Sequence, residues 1–198
     1  YQFTGFRFSY PGKIITRASC KQYFIKTTAD MSTAKIIVAT TNEEIKQVNE
    51  LYQEYNQWVI RNFIESGFIT ASDPRIGTFN TDSLPGQFIE PTGFLVLSLM
   101  DQQPVGCQFV RKLSNDTCEL KRFYIRPEAR GTGIALKMLD FSVAKSKDMG
   151  FRFIRLSSHT FMAKAVGIYR KYGFYEIPNY IPDDPLQAGN IQMEYEIK

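Results

Sequence analysis

The chain has 198 residues, of which 43% are hydrophobic and 22% are charged, as in an ordinary globular protein with one sizeable core. No apolar run approaches about 18 residues, so a membrane-spanning helix is not expected. The net charge of +4 is concentrated in residues 1–29, so the rest of the chain does not form a basic, nucleic-acid-seeking surface. Three cysteines and one histidine argue against a disulfide framework and a structural zinc site.

Residues 1–30 are basic, and the chain begins with Tyr1 rather than Met. Their basic, Ser- and Thr-containing composition is typical of an organelle transit peptide, whereas Pro11 and the many aromatic residues fit it less well. Met31 is a candidate initiator, because recognisable periodicity begins just after it. Three interpretations stay open: a removable or non-native leader, a transit peptide, and an additional strand. We expect the domain to cover residues 31–198 and the protein to be cytoplasmic, unless the leader directs organelle import.

The first predicted elements are a strand and a long helix. Residues 35–39 are apolar and indicate a buried strand. Thr41 and Glu44 form a capping box that opens a helix, and apolar side chains continue at helical spacing to Val59. Residues 66–91 are interrupted by glycine and proline, a pattern typical of a binding loop or lid that also leaves room for a second short helix.

Three strands joined by polar turns are predicted next, and they form an antiparallel meander. Beyond them, an amphipathic helix extends from Ile134 to about Met149. The order of the elements predicts a mixed α/β sheet. The three meander strands are residues 93–100, 105–113 and 118–125; the later elements are a strand at 151–156, a short helix at 162–172, and closing strands at 174–177 and 191–197.

Cys107 and Cys118 fall on adjacent predicted strands that are joined by a turn near Asn115. This register places Cys107 near Tyr124 and Cys118 near Leu113, so the two thiols should not meet in a disulfide. We therefore expect both cysteines to be buried, free thiols in a reducing compartment.

A glycine-rich loop between the meander and the second long helix is the most informative stretch. Pro127 ends the preceding strand because it lacks an N–H group. The run from Arg130 to Gly133 contains two glycines at a helix start, where unpaired N–H groups and the helix dipole favour a phosphate or pyrophosphate. A P-loop would need a Gly-Lys-Ser/Thr ending, and Leu136 stands where a dinucleotide fingerprint needs a small residue. A glycine turn without a ligand is the alternative for the loop taken alone.

Two motifs together resemble the GNAT superfamily of N-acetyltransferases. Arg130-x-x-Gly133-x-Ala135 is similar to the acyl-CoA signature of that family, and Ala165-x-x-x-Tyr169-x-x-x-Gly173-Phe174 resembles its other common motif. The resemblance covers residues 34–198 and is nearest in detail to a bacterial-type branch whose acceptor is uncharacterised. Many relatives have Gly at the position of Ala135 and Asn near the position of Met162.

The resemblance implies the GNAT acyl-CoA N-acyltransferase fold, a central and mostly antiparallel sheet with a splayed parallel pair, flanked by helices. It also implies acetyl-CoA as the co-substrate and no metal. The loop backbone would hold the pyrophosphate with help from Arg130, and the pantetheine arm would bind the open strand edge and Ser157. The residues implied in acetyl-CoA binding are Phe123, Tyr124, Ile125, Arg130, Gly131, Thr132, Gly133, Ile134 and Ala135.

Two residues are implied as catalytic. Tyr169 matches the general-acid tyrosine of the family, whose phenol protonates the leaving thiolate; a core aromatic residue is the alternative. Glu119 lies eleven residues before Arg130, the offset of a glutamate base in one branch of the family. The alternatives for Glu119 are a salt bridge to Lys121 or Arg155 and a solvent-facing strand residue.

Four residues are candidates for the acceptor site. His159 follows a predicted strand at its carboxyl end, where sites gather in open α/β sheets; a loop or helix-start histidine without chemistry is the alternative. Tyr180 in the tail can reach the acceptor pocket, and Tyr55 and Trp58 can line it.

The resemblance implies transfer of an acetyl group from acetyl-CoA to a primary amine of a small molecule or amino acid, by direct attack in a ternary complex. An acetyltransferase of protein N-termini or lysines is one alternative, and a non-catalytic acyl-CoA-binding module is another. The expected partner is the small-molecule amine, without nucleic acid or membrane, and a homodimer is left open.

Overall fold

The computed structural model describes residues 34–80, 83–181 and 188–198, all within the unit Thr33–Lys198. The predicted leader lies outside the described residues, and the domain boundary after it stays a prediction. The strands are β1 (Ala34–Val38), β2 (Gly93–Met100), β3 (Gln103–Lys112), β4 (Thr117–Ile125), β5 (Phe153–His159), β6 (Tyr175–Glu176) and β7 (Asn190–Glu196), and the α-helices are α1 (Asn42–Glu65), α2 (Ile134–Asp148) and α3 (Ala163–Tyr172).

The seven strands form one mixed sheet in the order β1-β2-β3-β4-β5-β7-β6. Strands β2, β3 and β4 are the predicted meander, and each pairs antiparallel with the next. Within the described sheet, β4 and β5 are the one parallel pair. The predicted α/β class, a mostly antiparallel sheet with one parallel pair and flanking helices, is confirmed.

Helix α1 begins at the predicted capping box. The Thr41 hydroxyl accepts a hydrogen bond from the Glu44 N–H at 3.2 Å, and the Glu44 carboxylate accepts one from the Thr41 N–H at 2.9 Å. These backbone hydrogen bonds lower the pKa of Glu44, because they favour the ionised carboxylate. The cap therefore fixes the start of the helix that covers one face of the sheet.

Each face of the sheet has its own buried core. Helix α1 packs Leu51 and Tyr52 against one face, where Tyr52 and Phe109 have ring centroids 5.1 Å apart. Helices α2 and α3 pack against the opposite face, where Met138 and Leu139 are fully buried. In the described ranges, no helix is long and apolar enough to cross a bilayer.

The segment between α1 and β2 contains a 3-10 helix at Pro74–Asn80, which corresponds to the second short helix left open by the sequence. Two X-Pro peptide bonds in this segment, Leu84-Pro85 and Glu90-Pro91, are cis. Phe88 is 2% exposed, and its ring lies 4.9 Å from that of Phe109. The segment is therefore anchored to the α1 face of the sheet by this buried side chain.

Cys107 and Cys118 are buried free thiols, as predicted. Cys107 lies opposite Tyr124, whereas Cys118 lies opposite Lys112 and not Leu113. The difference of one residue arises because the Leu113 N–H bonds to the Thr117 carbonyl at 2.9 Å and belongs to the turn. The Cys118 thiol faces α2, where it donates a hydrogen bond to the Ser146 hydroxyl at 3.5 Å.

Candidate functional site

The parallel strands β4 and β5 separate beyond their first few residues. They are paired only from Thr117 opposite Phe153 to Leu120 opposite Leu156. Strand β4 then continues to Ile125 without β5, while β5 stays paired with β7 as far as His159. The facing edges of the two strands are therefore open beyond Leu120, which confirms the splayed pair implied by the resemblance.

A β-bulge in β4 lies at the start of this splay. The register between β3 and β4 shifts between Cys107 and Phe109, where β4 uses one residue more than β3. Arg122 occupies the bulge with φ 52°, a left-handed conformation that is uncommon for a residue other than glycine. Its guanidinium lies 5.5 Å from the ring centroid of Tyr52 and 6.0 Å from that of Tyr55, an arrangement that favours cation–π contact. The sequence analysis missed Arg122, because nothing local in the sequence marks a bulge at this position.

The glycine loop after β4 has the open backbone that its sequence predicts. Gly131 and Gly133 have φ of 81° and 82°, and a Cβ atom built on either would meet no other atom within 4 Å. In the part of the chain that the structure describes, the N–H groups of Gly131, Thr132, Gly133 and Ile134 have no hydrogen-bond acceptor. Gly133 is the N-cap of α2, so these donors lie at the positive end of the helix dipole, where an anion binds favourably.

Two arginines flank the loop, and they differ in availability. Arg126 is held by the Glu54 carboxylate at 2.6 Å and by the Pro104 carbonyl at 2.6 Å. Arg130 is exposed and donates from Nε to the Ile125 carbonyl at 2.9 Å. Its terminal nitrogens have no hydrogen-bond partner among the described residues. The role of Arg130 beside an anion stays a prediction, whereas Arg126 links the end of β4 to α1, a contact that the sequence analysis missed.

Tyr169 lies on α3 and is 5% exposed. Its ring centroid lies 6.1 Å from that of Phe123, in the unpaired part of β4, and 5.6 Å from that of Phe174. Burial and, to a smaller extent, the nearby Tyr55 phenol raise the pKa of Tyr169, so its hydroxyl stays protonated near neutral pH. The structure therefore brings this candidate acid next to the strand opening.

The two aromatic candidates on α1 face different surroundings. Tyr55 lies at the end of β4, with its ring centroid 6.2 Å from that of Tyr124. Burial raises the pKa of Tyr55. Trp58, one turn further along the helix, instead lies 6.2 Å from the ring of Phe161, which follows β5. Of the pair, Tyr55 is the one beside the bulge and the splayed strand.

His159 is the last residue of β5 and is 2% exposed. Its ring lies among Phe63, Phe68 and Phe161, at centroid distances of 4.9, 4.4 and 4.6 Å. Its Nε2 lies 2.8 Å from the carbonyl oxygen of Ala188. The histidine is thus part of a packed aromatic cluster, and a role in acceptor binding stays a prediction.

Glu119 is 2% exposed and has partners on both carboxylate oxygens. Oε2 accepts a hydrogen bond from Nε of Arg111 at 2.6 Å, and Oε1 accepts one from the Tyr180 hydroxyl at 3.1 Å. Lys121 lies at 3.9 Å, and Arg155 pairs instead with Glu194 at 2.7 Å. The alternative of a salt bridge to Lys121 is therefore confirmed. The alternative of a solvent-facing residue is wrong, because only 2% of Glu119 is exposed.

Tyr180 joins this cluster from the tail, and its hydroxyl lies 3.1 Å from Oε1 of Glu119. The Arg155 guanidinium lies 5.5 Å from the Tyr180 ring centroid. Burial raises the pKa of the Tyr180 phenol, and the Glu119 carboxylate adds to this effect. In residues 34–80, 83–181 and 188–198, no group of three His, Cys, Asp or Glu side chains is placed to hold a metal ion.

Comparisons with known proteins agree with this geometry. The family model described as "Acetyltransferase (GNAT) domain" matches residues 91–176. The uncharacterized N-acetyltransferase YjgM of Escherichia coli is 33% identical over 63 residues, which span 32% of this chain and 38% of that relative. The match thus spans about two fifths of this relative's length.

Two solved structures share the fold. The PaiA N-acetyltransferase from Thermoplasma acidophilum, in complex with coenzyme A, has a TM-score of 0.64 and 18% identity over 83% of this chain and 99% of its own. A GNAT family acetyltransferase from Elizabethkingia anophelis with acetyl-CoA bound has a TM-score of 0.55 and 15% identity over 82% and 97%. Residues 91–176 therefore match a GNAT acetyltransferase domain, and the chain shares the fold of these two structures.

Proposed function

We propose that the protein transfers the acetyl group of acetyl-CoA to a primary amine of a small molecule or amino acid. The observation that carries the proposal is the open glycine loop at the start of α2, directly beside the splayed edge of β4. The family match and the fold shared with proteins crystallised with coenzyme A or acetyl-CoA support the same donor.

The donor would bind along the loop and the open strand edge. The N–H groups of residues 131–134 would bind the pyrophosphate, and Arg130 would add a cation beside it. Ala135 lies in the first turn of α2, where its small side chain would leave room for the phosphates. The unpaired backbone of Phe123–Ile125 on β4, together with Ser157 on β5, would hydrogen-bond the pantetheine arm, as an added strand does.

The thioester supplies an activated acetyl group, and the chain supplies its orientation and the proton transfers. The attacking amine must be neutral, and its attack places negative charge on the thioester oxygen, where backbone N–H groups of the open edge can stabilise it. Tyr169 would then donate its phenolic proton to the leaving thiolate. Its raised pKa keeps that proton available at neutral pH, and its place beside Phe123 puts it next to the open edge.

Glu119 would take the proton of the amine. Because its carboxylate is buried beneath Tyr180, the proton would reach it through the Tyr180 hydroxyl or a water molecule rather than by direct contact. Arg111 holds the other carboxylate oxygen and orients the group. Tyr55 would line the acceptor site beside the opening, and Trp58 and His159 would form its more distant aromatic wall.

The test is a screen of primary amines for acetyl-CoA-dependent release of coenzyme A, with the acetylated product identified by mass spectrometry. The panel includes amino acids, small amines and peptides with free N-termini or lysines. We expect turnover of at least one small amine above the rate without an amine. Turnover of peptides alone would favour the protein-directed alternative, and binding of acetyl-CoA without turnover of any amine would favour a non-catalytic module.

A further inference from the structure

A row of alternating charges crosses four strands beside the splay. Arg111 on β3, Glu119 on β4, Arg155 on β5 and Glu194 on β7 are registered neighbours, each directly opposite the next. The residues that follow them on the strands, such as Leu120, point to the opposite face of the sheet and belong to the core under α2 and α3. The row therefore lies on the α1 face of the sheet, one residue before the last registered pair of β4 and β5.

Each of the two arginines of the row donates a hydrogen bond to its carboxylate from Nε rather than from the terminal nitrogens. Nε of Arg111 donates to Glu119 at 2.6 Å, and Nε of Arg155 donates to Glu194 at 2.7 Å. Neither arginine has another hydrogen-bond partner within the described ranges, so their terminal nitrogens remain available. Their side chains are 27% and 36% exposed. A guanidinium with available terminal nitrogens matches the two oxygens of a carboxylate.

Two polar residues lie between the row and the splay, of which Ser157 is exposed and Gln192 is buried. Ser157 lies two residues after Arg155 on β5, about 7 Å further along the same face, and it is exposed. Gln192 lies opposite Ser157, and its Oε1 is buried without a hydrogen-bond partner in the structure. This amide oxygen could accept a hydrogen bond from an amine placed between the opening and Arg155.

We infer that the acceptor amine carries a carboxylate, as an amino acid does, and that Arg155 binds this carboxylate. The inference rests on the proposed acetyl transfer and names the class of acceptor. The amine end would lie toward the splay, near Ser157 and Gln192, and the carboxylate would lie over the charged row. Arg155 is the specificity-determining residue, because it is the arginine on β5, the strand that leads directly to the opening.

The test compares the twenty L-amino acids with their carboxamides, which keep the amine and lose the negative charge. Steady-state release of coenzyme A gives kcat and KM for each pair. We expect the best amino acid to exceed its amide in kcat/KM by about tenfold or more, the effect of one charge-assisted hydrogen bond. In Arg155→Gln, the KM of the acid should rise until this preference is lost, while the KM of the amide stays unchanged.

Two further variants separate recognition from folding. Arg155→Lys keeps the positive charge but loses the planar guanidinium that can bind both carboxylate oxygens. This variant should retain part of the preference for the acid over its amide. Arg152→Gln removes an exposed ion pair between the same chain segments, the one with Glu196 at 3.2 Å, and should leave the preference intact. Melting temperature and acetyl-CoA binding are measured for every variant, so that an unfolded protein is not mistaken for a loss of recognition.

Three results would each overturn the inference. The first is equal kcat/KM for amino acids and their amides, and the second is turnover restricted to amines without a carboxylate. The third is an equal loss of kcat/KM for acid and amide in folded Arg155→Gln. Such results would leave the acetyl transfer itself in place. Absence of coenzyme A release with every amine, in a protein that binds acetyl-CoA, would instead overturn the proposed function together with this inference.

Discussion

The phenol of Tyr180 donates a hydrogen bond to Oε1 of Glu119 at 3.1 Å, across 61 residues of sequence. The other carboxylate oxygen accepts a hydrogen bond from Arg111, and the Glu119 side chain is 2% exposed. The candidate base is thus also the centre of a buried ion pair. A change at Glu119 should therefore affect stability whether or not it affects turnover, and the two effects have to be measured separately.

Glu119→Gln should lower the free energy of unfolding by about 2–3 kcal/mol, because it leaves the Arg111 charge without a buried partner. It should also lower kcat by about tenfold or more if Glu119 receives the amine proton. Denaturant unfolding and steady-state kinetics below the melting transition measure the two effects. Glu54→Gln, which breaks the more exposed pair with Arg126, is the matched control and should cost about 1 kcal/mol or less. Unchanged kcat in folded Glu119→Gln would assign this residue to structure alone.

Tyr169→Phe should slow turnover by about tenfold or more while acetyl-CoA binding persists. The substitution removes the phenolic proton and keeps the ring between Phe123 and Phe174, so packing is preserved. Steady-state kinetics and a calorimetric titration with acetyl-CoA measure the two properties. Tyr172→Phe is the control, since its hydroxyl donates to Asp140 at 2.8 Å on the surface. If both variants retain full turnover, Tyr169 is a core residue and the thiolate is protonated by another group.

Gly133→Glu should abolish measurable acetyl-CoA binding, because it places a carboxylate where the pyrophosphate would lie and strains a backbone with φ 82°. Gly150→Glu is a closely matched control. Gly150 has φ 84° and equally open space at the opposite end of α2, so its variant carries the same strain. The shift in melting temperature produced by acetyl-CoA should disappear in the first variant and persist in the second. An equal shift in both would show that the loop does not bind the donor.

The parts of this fold that the sequence predicted are those specified by neighbouring residues. The capping box of Thr41 and Glu44 identifies the start of α1, because both partners lie within one helical turn. Alternation and turn residues predict the meander, and glycines before a helix predict the open loop. Each of these patterns involves only a few consecutive residues, so it can be recognised in the sequence without knowledge of the tertiary contacts.

The contacts that the sequence did not predict depend on register and on distant elements. Arg111 is the nearest cationic partner of Glu119 because the two are directly opposite across β3 and β4. The sequence analysis named Lys121, which lies at 3.9 Å, and Arg155, which pairs with Glu194, but not Arg111. The bulge at Arg122 likewise has no local sequence signature. The same is true of the ion pair between Glu54 and Arg126, which are 72 residues apart. The charged row beside the splay combines four strands, so it becomes visible only once their pairing is known.

Cys107 and Cys118 should stay unmodified by a thiol-specific reagent at pH 8 in the native protein. Burial raises the pKa of the Cys118 thiol to about 11 and also raises the pKa of Cys107. A raised pKa reduces the thiolate fraction at pH 8, and the thiolate is the reactive form. Mass-spectrometric mapping of labelled peptides distinguishes these residues from Cys20. Both should become labelled after unfolding in denaturant, and rapid labelling of either in the folded protein would contradict its burial.

His159→Phe tests whether the only histidine acts in packing or in acceptor binding. Phenylalanine keeps an aromatic ring among Phe63, Phe68 and Phe161 but loses the hydrogen bond to the Ala188 carbonyl. We expect the free energy of unfolding to fall by about 1–2 kcal/mol, because that carbonyl then lacks its partner. The KM of the acceptor should change little.

Gly189→Ala provides an independent change in the same contact, since its Cβ would lie 2.7 Å from the His159 ring while φ is 84°. It should destabilise the protein in the same direction as His159→Phe, because the ring must shift to make room. Denaturant unfolding and acceptor kinetics are compared for the two variants. A large rise in acceptor KM for His159→Phe, with stability unchanged, would place the imidazole in the acceptor site, because a packing role alone predicts the opposite pattern.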